Sequence, residues 1–511
     1  MVVQMNAKSS SPGSDFSKGF PIADIPEGQV VSGNVAGEPA LLVSQGGELF
    51  AIGATCTHYG GALAEGLLVN DTIRCPLHHA CFNLRTGQVM WPPAFNDLRA
   101  WPVECRDGKA FVGAQPLTSQ TAHLTGVDLP ATVVIVGGGA AGNAAAETLR
   151  REGYQGQITM LSVDRSLPYD RPNLSKDYLA GTAKPEWMPL RSQSFYEEHG
   201  IDLRADTRVT KINPAERTLV LSDGTRLGYD ALLLATGADP IRPDIPGSDL
   251  PHVRMLRTWA DCDELIEYAQ TAQRCVVIGA GFIGLECAAA LRSRGLAVHV
   301  VSPAARPLEH VLGAKLGDMI RELHEAHGVV FHLGASVVGI DANQVTLSNH
   351  EKLDAELVVV GIGVRPNVAL AKDAGLTEDR GVVVDEYLQT SAPRIYAAGD
   401  IARWPDPRTR NMLRIEHWVV AERQGVVAAR NILGHRQRFD AVPFFWTQQY
   451  DLTVRYVGHA ERWDREEITG NPLAHDCTVT YWQDGTKLAV ATVGRDLESL
   501  RAEVGLEGSS P

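Results

Sequence analysis

No stretch of this 511-residue chain approaches the roughly 18 consecutive apolar residues of a membrane span. Its opening residues, MVVQMNAKSSSPGSDF, have no apolar core of the kind that marks a signal peptide. Positive charge is also short: 47 Lys and Arg against 61 Asp and Glu give a formal net charge of −14. That balance argues against nucleic acid or an anionic membrane as partner and leaves room for a positively charged protein. Eight cysteines are too few to staple so long a chain, so a reduced, cytoplasmic protein is expected. No Ser-His-Asp or Cys-His nucleophile arrangement stands out. What is present is ordinary globular composition, 44% hydrophobic and 21% charged, at a length of about three or four domains.

The chain is organised around Ala131 to Gly142, ATVVIVGGGAAG. Val133 to Val136 reads as a strand buried on both faces, and Asn143 to Arg151 as a helix. Between them Gly137, Gly139 and Gly142 keep the G-x-G-x-x-G spacing, with Gly138, Ala140 and Ala141 filling the turn. The first glycine permits the tight turn, the second lets the backbone approach a pyrophosphate, and the third lets helix and strand pack closely. A second apolar run, Ile158 to Val163, ends in Asp164, whose carboxylate can hold a ribose hydroxyl. The same spacing recurs at Gly279, Gly281 and Gly284 in CVVIGAGFIGLE, with Phe282 and Ile283 inside it. Two such folds imply two dinucleotides.

Ahead of them the pattern differs. Residues 1–19 read as a mobile tail rich in Ser, Gly and Lys. Short β-like runs follow at Ala40 to Val43, Leu49 to Ile52, Thr72 to Arg74 and Lys109 to Val112, a small all-β domain. Residues 115–130 read as a polar linker, which as a flexible coil spans roughly 20 to 24 Å. The last 70 or so residues return to β-like runs, at Leu452 to Tyr456, Thr478 to Trp482 and Lys487 to Val493, before a charged helical tail.

The β domain carries Cys56-Thr57-His58 and, after 16 intervening residues, Cys75-Pro76-Leu77-His78. Zinc could use two thiolates and two imidazoles, but the order is Cys-His twice and no finger helix accompanies it. The stretch resembles a Rieske [2Fe-2S] domain, and the resemblance implies that Cys56 and Cys75 hold one iron and His58 and His78 the other. High-potential Rieske proteins add a disulfide over the cluster and a serine near a cluster sulfur. The equivalent positions here are Gly61, Leu77 and Ala80, so a potential near the low end, on the order of −150 mV, is expected. Cys81, Cys105, Cys262, Cys275, Cys287 and Cys477 read as packing residues. His79, His299 and His310 show no metal spacing and read as surface or packing residues.

Further motifs fix the arrangement of the reductase part. LLLATG, ending in Ala235, Thr236 and Gly237, resembles the return to the first nucleotide; GIGVRPN, with Gly363, resembles the hinge closing the second domain; IYAAGD resembles the motif whose Asp, here Asp400, holds the FAD ribityl chain. Together they resemble the two-dinucleotide flavoprotein reductases. The redox cysteine pair of the disulfide reductases is missing from LPYDRPNLSKDY, Leu167 to Tyr178. That stretch is similar instead to the oxygenase-coupled ferredoxin reductases and apoptosis-inducing factor, which implies flavin contacts from Arg171 and Lys176. RIEHWVVAERQG and PFFWTQ match the same group, implying that Glu416, His417, Trp418 and Trp446 lie near the isoalloxazine. The resemblance also places Val209 at the flavin and implies catalytic roles for Lys176, Glu416 and Trp418. Rieske domain and reductase in one chain most resemble the apoptosis-inducing-factor-like proteins of type 3.

The resemblance thus implies a multidomain chain: an all-β Rieske domain at 20–114, a linker at 115–130, and two Rossmann-like α/β domains. The first binds FAD with residues 131–245 and 369–435, the second binds NAD(P)H with 246–368, and an α+β reductase domain spans 436–511. The expected activity is that of a ferredoxin–NAD(P)⁺ reductase, an oxidoreductase carrying electrons from NAD(P)H through FAD to its own cluster. An external acceptor follows: an oxygenase, a P450 or a ferredoxin. The second strand of the NAD(P)H fold ends at Ser302 where relatives carry Glu, and Arg306 follows, so NADPH should be tolerated alongside NADH. Two alternatives stand beside this reading. One is an NADH-responsive redox sensor of apoptosis-inducing-factor type; the other, electron input to a nitrite reductase, lacks the residues for a sirohaem domain. A homodimer is left open by the sequence.

Overall fold

The computed structural model describes residues 13–118 and 129–508. They fall into two compact units. The first takes the residues up to 118, the short turn 151–154 and the end of the chain from Arg495 onward. The second takes the remainder up to Gly494. No helix of the described residues is long and apolar enough to cross a membrane.

The first unit is built on antiparallel sheets. One orders its strands Gln29–Val35, Glu38–Gln45, Glu48–Gly53 and Ala100–Trp101; another runs Leu67–Val69, Thr72–Arg74, Cys81–Asn83 and Val89–Trp91. Two apolar clusters fill it, one around Leu41, Ile52, Leu63 and Phe82 and one around Phe16, Leu42 and Trp101. Phe16 corrects the expected tail: it is fully buried, and Asp15 caps its 3₁₀ turn through Ser17, so residues 13–19 belong to the β domain. An apolar ring placed against the sheet outweighed the polar composition around it. Residues 1–12 of that tail and 119–128 of the expected linker lie outside the described residues.

At the other terminus, the helix Asp496–Glu507 packs in the first unit. The face it buries carries Ser499 and Glu503 beside Leu500 and Leu506. Two polar side chains on the buried stripe need partners there, and the first unit supplies them.

The second unit holds two copies of one plan. A parallel sheet ordered Ile201–Arg204, Gln157–Leu161, Thr132–Val136, Ala231–Leu234, Ile395–Ala397 carries the first glycine motif. A parallel sheet ordered Val253–Met255, Leu357–Val360, Arg274–Ile278, Ala297–Ser302, Val330–Leu333 carries the second. Each includes a three-stranded antiparallel meander, at 209–228 and 337–354. Helix Ala140–Arg151 begins three residues before the expected Asn143, because the turn residues themselves enter the helix. A five-stranded antiparallel sheet follows, ordered Phe444–Gln449, Leu452–Gly458, Thr486–Val493, Asp476–Gln483, Arg465–Asn471. It shares one apolar core with the second nucleotide fold, with Phe445, Tyr456 and Tyr481 packed in the same cluster as Val277, Leu285 and Leu316.

Candidate functional site

The cluster loops of the first unit repeat one hydrogen-bonded turn. In the first, Cys56 N–H donates to Gly61 O at 2.9 Å and Gly60 N–H to Cys56 O at 3.1 Å. In the second, Cys75 N–H donates to Ala80 O at 2.9 Å and His79 N–H to Cys75 O at 3.1 Å. The turns bring the expected ligands together in two like pairs, His58 with His78 and Cys56 with Cys75. The Nδ1 atoms of His58 and His78 stand 3.2 Å apart, and Cys75 lies close enough to Cys56 to raise the pKa of its buried thiol. Both cysteines are buried and neither is in a disulfide. Gly61 lies against Leu77, and a Cβ there would meet Cys75 Sγ at 2.7 Å. Two imidazoles and two thiols converging from paired loops fit a [2Fe-2S] group.

In the second unit a cleft opens beside the first glycine motif. Gly139, Ala140 and Ala141 form one wall with Arg171, Lys176, Ala235 and Gly237. Asp400, Glu416, His417, Trp418 and Trp446 close it, and Phe282 and Ile283 enter from the second fold. Gly142 packs so tightly that a Cβ would fall 1.9 Å from Gly137 O, whereas at Gly139 the nearest atom to a Cβ is Arg171 Nη1 at 3.5 Å. The third glycine therefore serves packing and the second leaves backbone open to a phosphate group. Two buried nitrogens at the cleft, Arg171 Nε and His417 Nδ1, have no hydrogen-bond partner in the protein. An open glycine backbone and such orphaned polar atoms fit a bound FAD.

Several cleft residues owe their positions to partners far along the chain. Lys176 Nζ is 2.7 Å from Glu286 Oε2, and Glu286 also accepts from Ser175 Oγ at 2.5 Å and Thr447 Oγ1 at 2.6 Å. Glu286 is buried on helix Phe282–Ser293, so a carboxylate from the second fold holds the lysine of the first. Arg257 Nη2 donates to Asp400 Oδ2 at 2.9 Å, and Arg414 pairs with Glu416 at 2.5 Å. Desolvation against the cleft wall raises the Glu416 pKa, partly offset by Arg414. Burial pushes the His417 imidazole down to about 3, so it is neutral at ordinary pH. Near Trp418 lies Glu422, a buried acid whose pKa burial holds well above its usual value, with Asp170 adding to the shift.

Other expected site residues sit around the cleft without lining it. Gly137 and Gly138 make the turn, with Gly138 against Ser162. Asp164 Oδ2 accepts from Tyr169 Oη at 2.7 Å and lies 4.0 Å from Arg171 Nη2. Thr236 Oγ1 donates to Asn367 O at 2.8 Å, beside the antiparallel pair Ala238–Pro240 and Val364–Pro366 that joins the two folds. Gly363 stands next to that pair with φ 111°. Val209 is buried at the start of the first meander, paired with Leu221, and is not part of the cleft wall.

The second fold repeats the glycine geometry. A Cβ on Gly284 would meet Gly279 O at 2.2 Å, one on Gly279 would meet Gly361 O at 2.3 Å, and at Gly281 the nearest atom is 3.9 Å away. Again the second glycine alone is open, which fits a second dinucleotide. Ser302, at the strand end, is buried, and its Oγ accepts from Ala304 N–H at 3.3 Å. Arg306 Nε donates to Asp318 at 3.0 Å and its Nη1 to Glu309 at 3.1 Å. Its charge is already countered by two carboxylates.

Sequence reasoning passed over Glu286, Thr447, Arg257 and Glu422. The one local signal was a lone acid inside an otherwise apolar helix, FIGLECAAAL, because an unpaired buried carboxylate is costly.

Comparison with known proteins agrees with this geometry. Residues 131–425 match the pyridine nucleotide-disulphide oxidoreductase family, 18–102 the Rieske [2Fe-2S] domain and 444–504 the reductase C-terminal family. The chain is 32% identical to apoptosis-inducing factor 3 of Homo sapiens over 494 residues, covering 93% of this chain and 81% of that one. It is 38% identical to putidaredoxin reductase of Pseudomonas putida over 376 residues, 72% of this chain and 89% of the relative. The solved covalent complex of putidaredoxin reductase with putidaredoxin superposes with a TM-score of 0.72 at 36% identity, covering 74% of this chain and 93% of that one. The chain therefore belongs to the pyridine nucleotide-disulphide oxidoreductases, as a ferredoxin-reductase-type flavoprotein dependent on FAD and NAD(P)H that carries its own Rieske [2Fe-2S] domain.

Proposed function

We propose that the chain takes electrons from NAD(P)H at the fold around Gly279 and Gly284, passes them through FAD in the cleft to its own cluster, and delivers them to an external acceptor such as an oxygenase, a P450 or a ferredoxin. The observation that carries this is the cleft itself. Its walls come from both nucleotide folds, Gly139 to Ala141 on one side and Phe282, Ile283 and Glu286 on the other. A group held by the first motif is thereby open to a nicotinamide held by the second. Bound FAD supplies the exchange between a two-electron donor and a one-electron cluster. The likeness to ferredoxin reductases supports the external acceptor.

The protein's own part is placement. Lys176 presents a cation to the cleft, and Glu286 keeps that cation fixed and locally balanced. Asp400, oriented by Arg257, offers a carboxylate to the ribityl hydroxyls. Trp418 and Trp446 form an aromatic wall. Cys56, His58, Cys75 and His78 hold the cluster. The setting proposed for this activity is reduced and cytoplasmic. A homodimer is one arrangement the acceptor could meet.

The test is stopped-flow reduction by NADH of the native chain and of His78→Ala. The variant should keep its flavin and its flavin bleaching while losing the Rieske absorption and spin signals and the flow to an added ferredoxin. A Rieske spectrum persisting in that variant, or zinc in the native protein, overturns the ligand assignment. Slow turnover of the native chain, with a long-lived reduced charge-transfer state, favours the redox-sensor reading.

A further inference from the structure

We propose that Glu503 of the C-terminal helix is a positioning residue for the cluster: through His79 it braces the loop that carries Cys75 and His78. This rests on the reading of Cys56, His58, Cys75 and His78 as cluster ligands.

The two cluster loops share a hydrogen-bonded turn, and each needs a left-handed residue at its fifth position. The first loop uses Gly60, with φ 72°, which accepts that conformation without strain. The second uses His79, with φ 63°. A residue with a Cβ is held there only when its surroundings over-determine it. Those surroundings come from the far end of the chain. His79 is fully buried, its Nδ1 2.9 Å from Glu503 Oε2 and its Nε2 3.2 Å from Ser499 Oγ. A neutral imidazole satisfies both contacts, donating from Nδ1 and accepting the serine hydroxyl at Nε2.

Glu503 is fixed in turn. Its side chain has no solvent exposure, and Arg74 Nη1 donates to it at 3.2 Å. Arg74 also grips Glu507 through both terminal nitrogens, at 2.9 and 2.7 Å. Arg74 immediately precedes Cys75, and His79 immediately follows His78. One helical stripe, Ser499, Glu503 and Glu507, therefore holds the ligand loop at both of its ends. Removing the Glu503 carboxylate leaves a buried N–H without its acceptor and half of the arginine's charge pairing undone. The left-handed turn then loses its brace, and His78 Nδ1 is free to drift from His58.

The test uses full-length holoprotein, with flavin content as an internal control for the second unit. Glu503→Ala should speed cluster bleaching by a chelator about tenfold and shift the Rieske spin signal. Glu503→Gln, which still accepts from His79, should restore both. His79→Gly, which takes the turn as Gly60 does, should keep the cluster and abolish the effect of a second Glu503→Ala change. Where Glu503→Ala also lowers flavin occupancy, Ser499→Ala, which removes one bond to the ring, carries the same test in milder form. Native bleaching and spin signal in Glu503→Ala, or an undiminished Glu503→Ala effect in the His79→Gly background, overturn the proposal. A native protein without iron overturns the ligand reading instead.

Discussion

The two nucleotide folds are alike where backbone meets backbone and differ where side chains meet a ligand. In each, the first and third glycines face carbonyl oxygens that no Cβ could approach, and the second is open. Beyond the second strand the likeness ends. The first fold offers Asp164, bound by Tyr169 and near Arg171; the second offers a buried Ser302 and an arginine already paired with Asp318 and Glu309. The frame that grips a pyrophosphate is thus fixed by sterics, and the choice of nucleotide is left to residues around it.

The largest effects should come from breaking the shared frame. Gly142→Ala and Gly284→Ala each push a Cβ into a carbonyl oxygen, and each should destabilise by about 3 kcal/mol. Thermal unfolding with flavin and NADH titrations should show flavin lost in the first and nicotinamide binding lost in the second. Equal flavin loss in both would show that the folds do not act separately. Next come the open glycines. Gly139→Val and Gly281→Val meet little protein, so folding should persist while affinity for FAD or NAD(P)H falls about a hundredfold, on the order of 3 kcal/mol. Unchanged flavin occupancy in Gly139→Val would remove the pyrophosphate from that turn.

Acid separates the folds more gently. Burial lowers the pKa of His324, on the helix 309–326 of the second fold, from 6.5 to about 4. The unfolded chain then binds the extra proton between those values, so stability is present above about pH 6.5 and lost as pH falls toward 4. His324→Gln should flatten that slope by about 2 kcal/mol between about pH 7 and pH 5, read by urea unfolding. At the first fold Asp400→Ala should weaken FAD about tenfold by losing one charged hydrogen bond; full flavin retention would reassign the residue. The smallest effect sharpens the contrast of strand ends. Ser302→Glu should shift kcat/KM toward NADH by a few-fold, about 1 kcal/mol. Strict NADH use by the native chain would show that Ser302 does not relax the choice.

How much of this was legible in the sequence follows the same division. Gly137, Gly139 and Gly142 announce themselves because local geometry demands glycine at fixed spacing. Cys56, His58, Cys75 and His78 do so because few other pairings use that order. Glu286 was not legible as the partner of Lys176, 110 residues away, because no local pattern encodes a long-range ion pair. Val209 was placed at the flavin by likeness alone, and in the fold it opens the first meander. Phe16 was hidden by the Ser and Gly around it, and the helix Asp496–Glu507 by its place after the last sheet. Its buried Ser499 and Glu503 give a helix wheel no clear apolar face from which a docking site could be read.

That helix changes what a single cut in the chain can do. The first unit takes chain from both ends, so severing the backbone between residues 118 and 129 leaves its N-terminal piece held by noncovalent contacts, its grip on Ser499, Glu503 and Glu507 among them. A nicked protein should therefore travel as one particle until the C-terminal helix is peeled away. Expressing residues 13–118 alone should yield a domain with an open seam where that helix belongs. Severing the chain once is not the same as taking it apart.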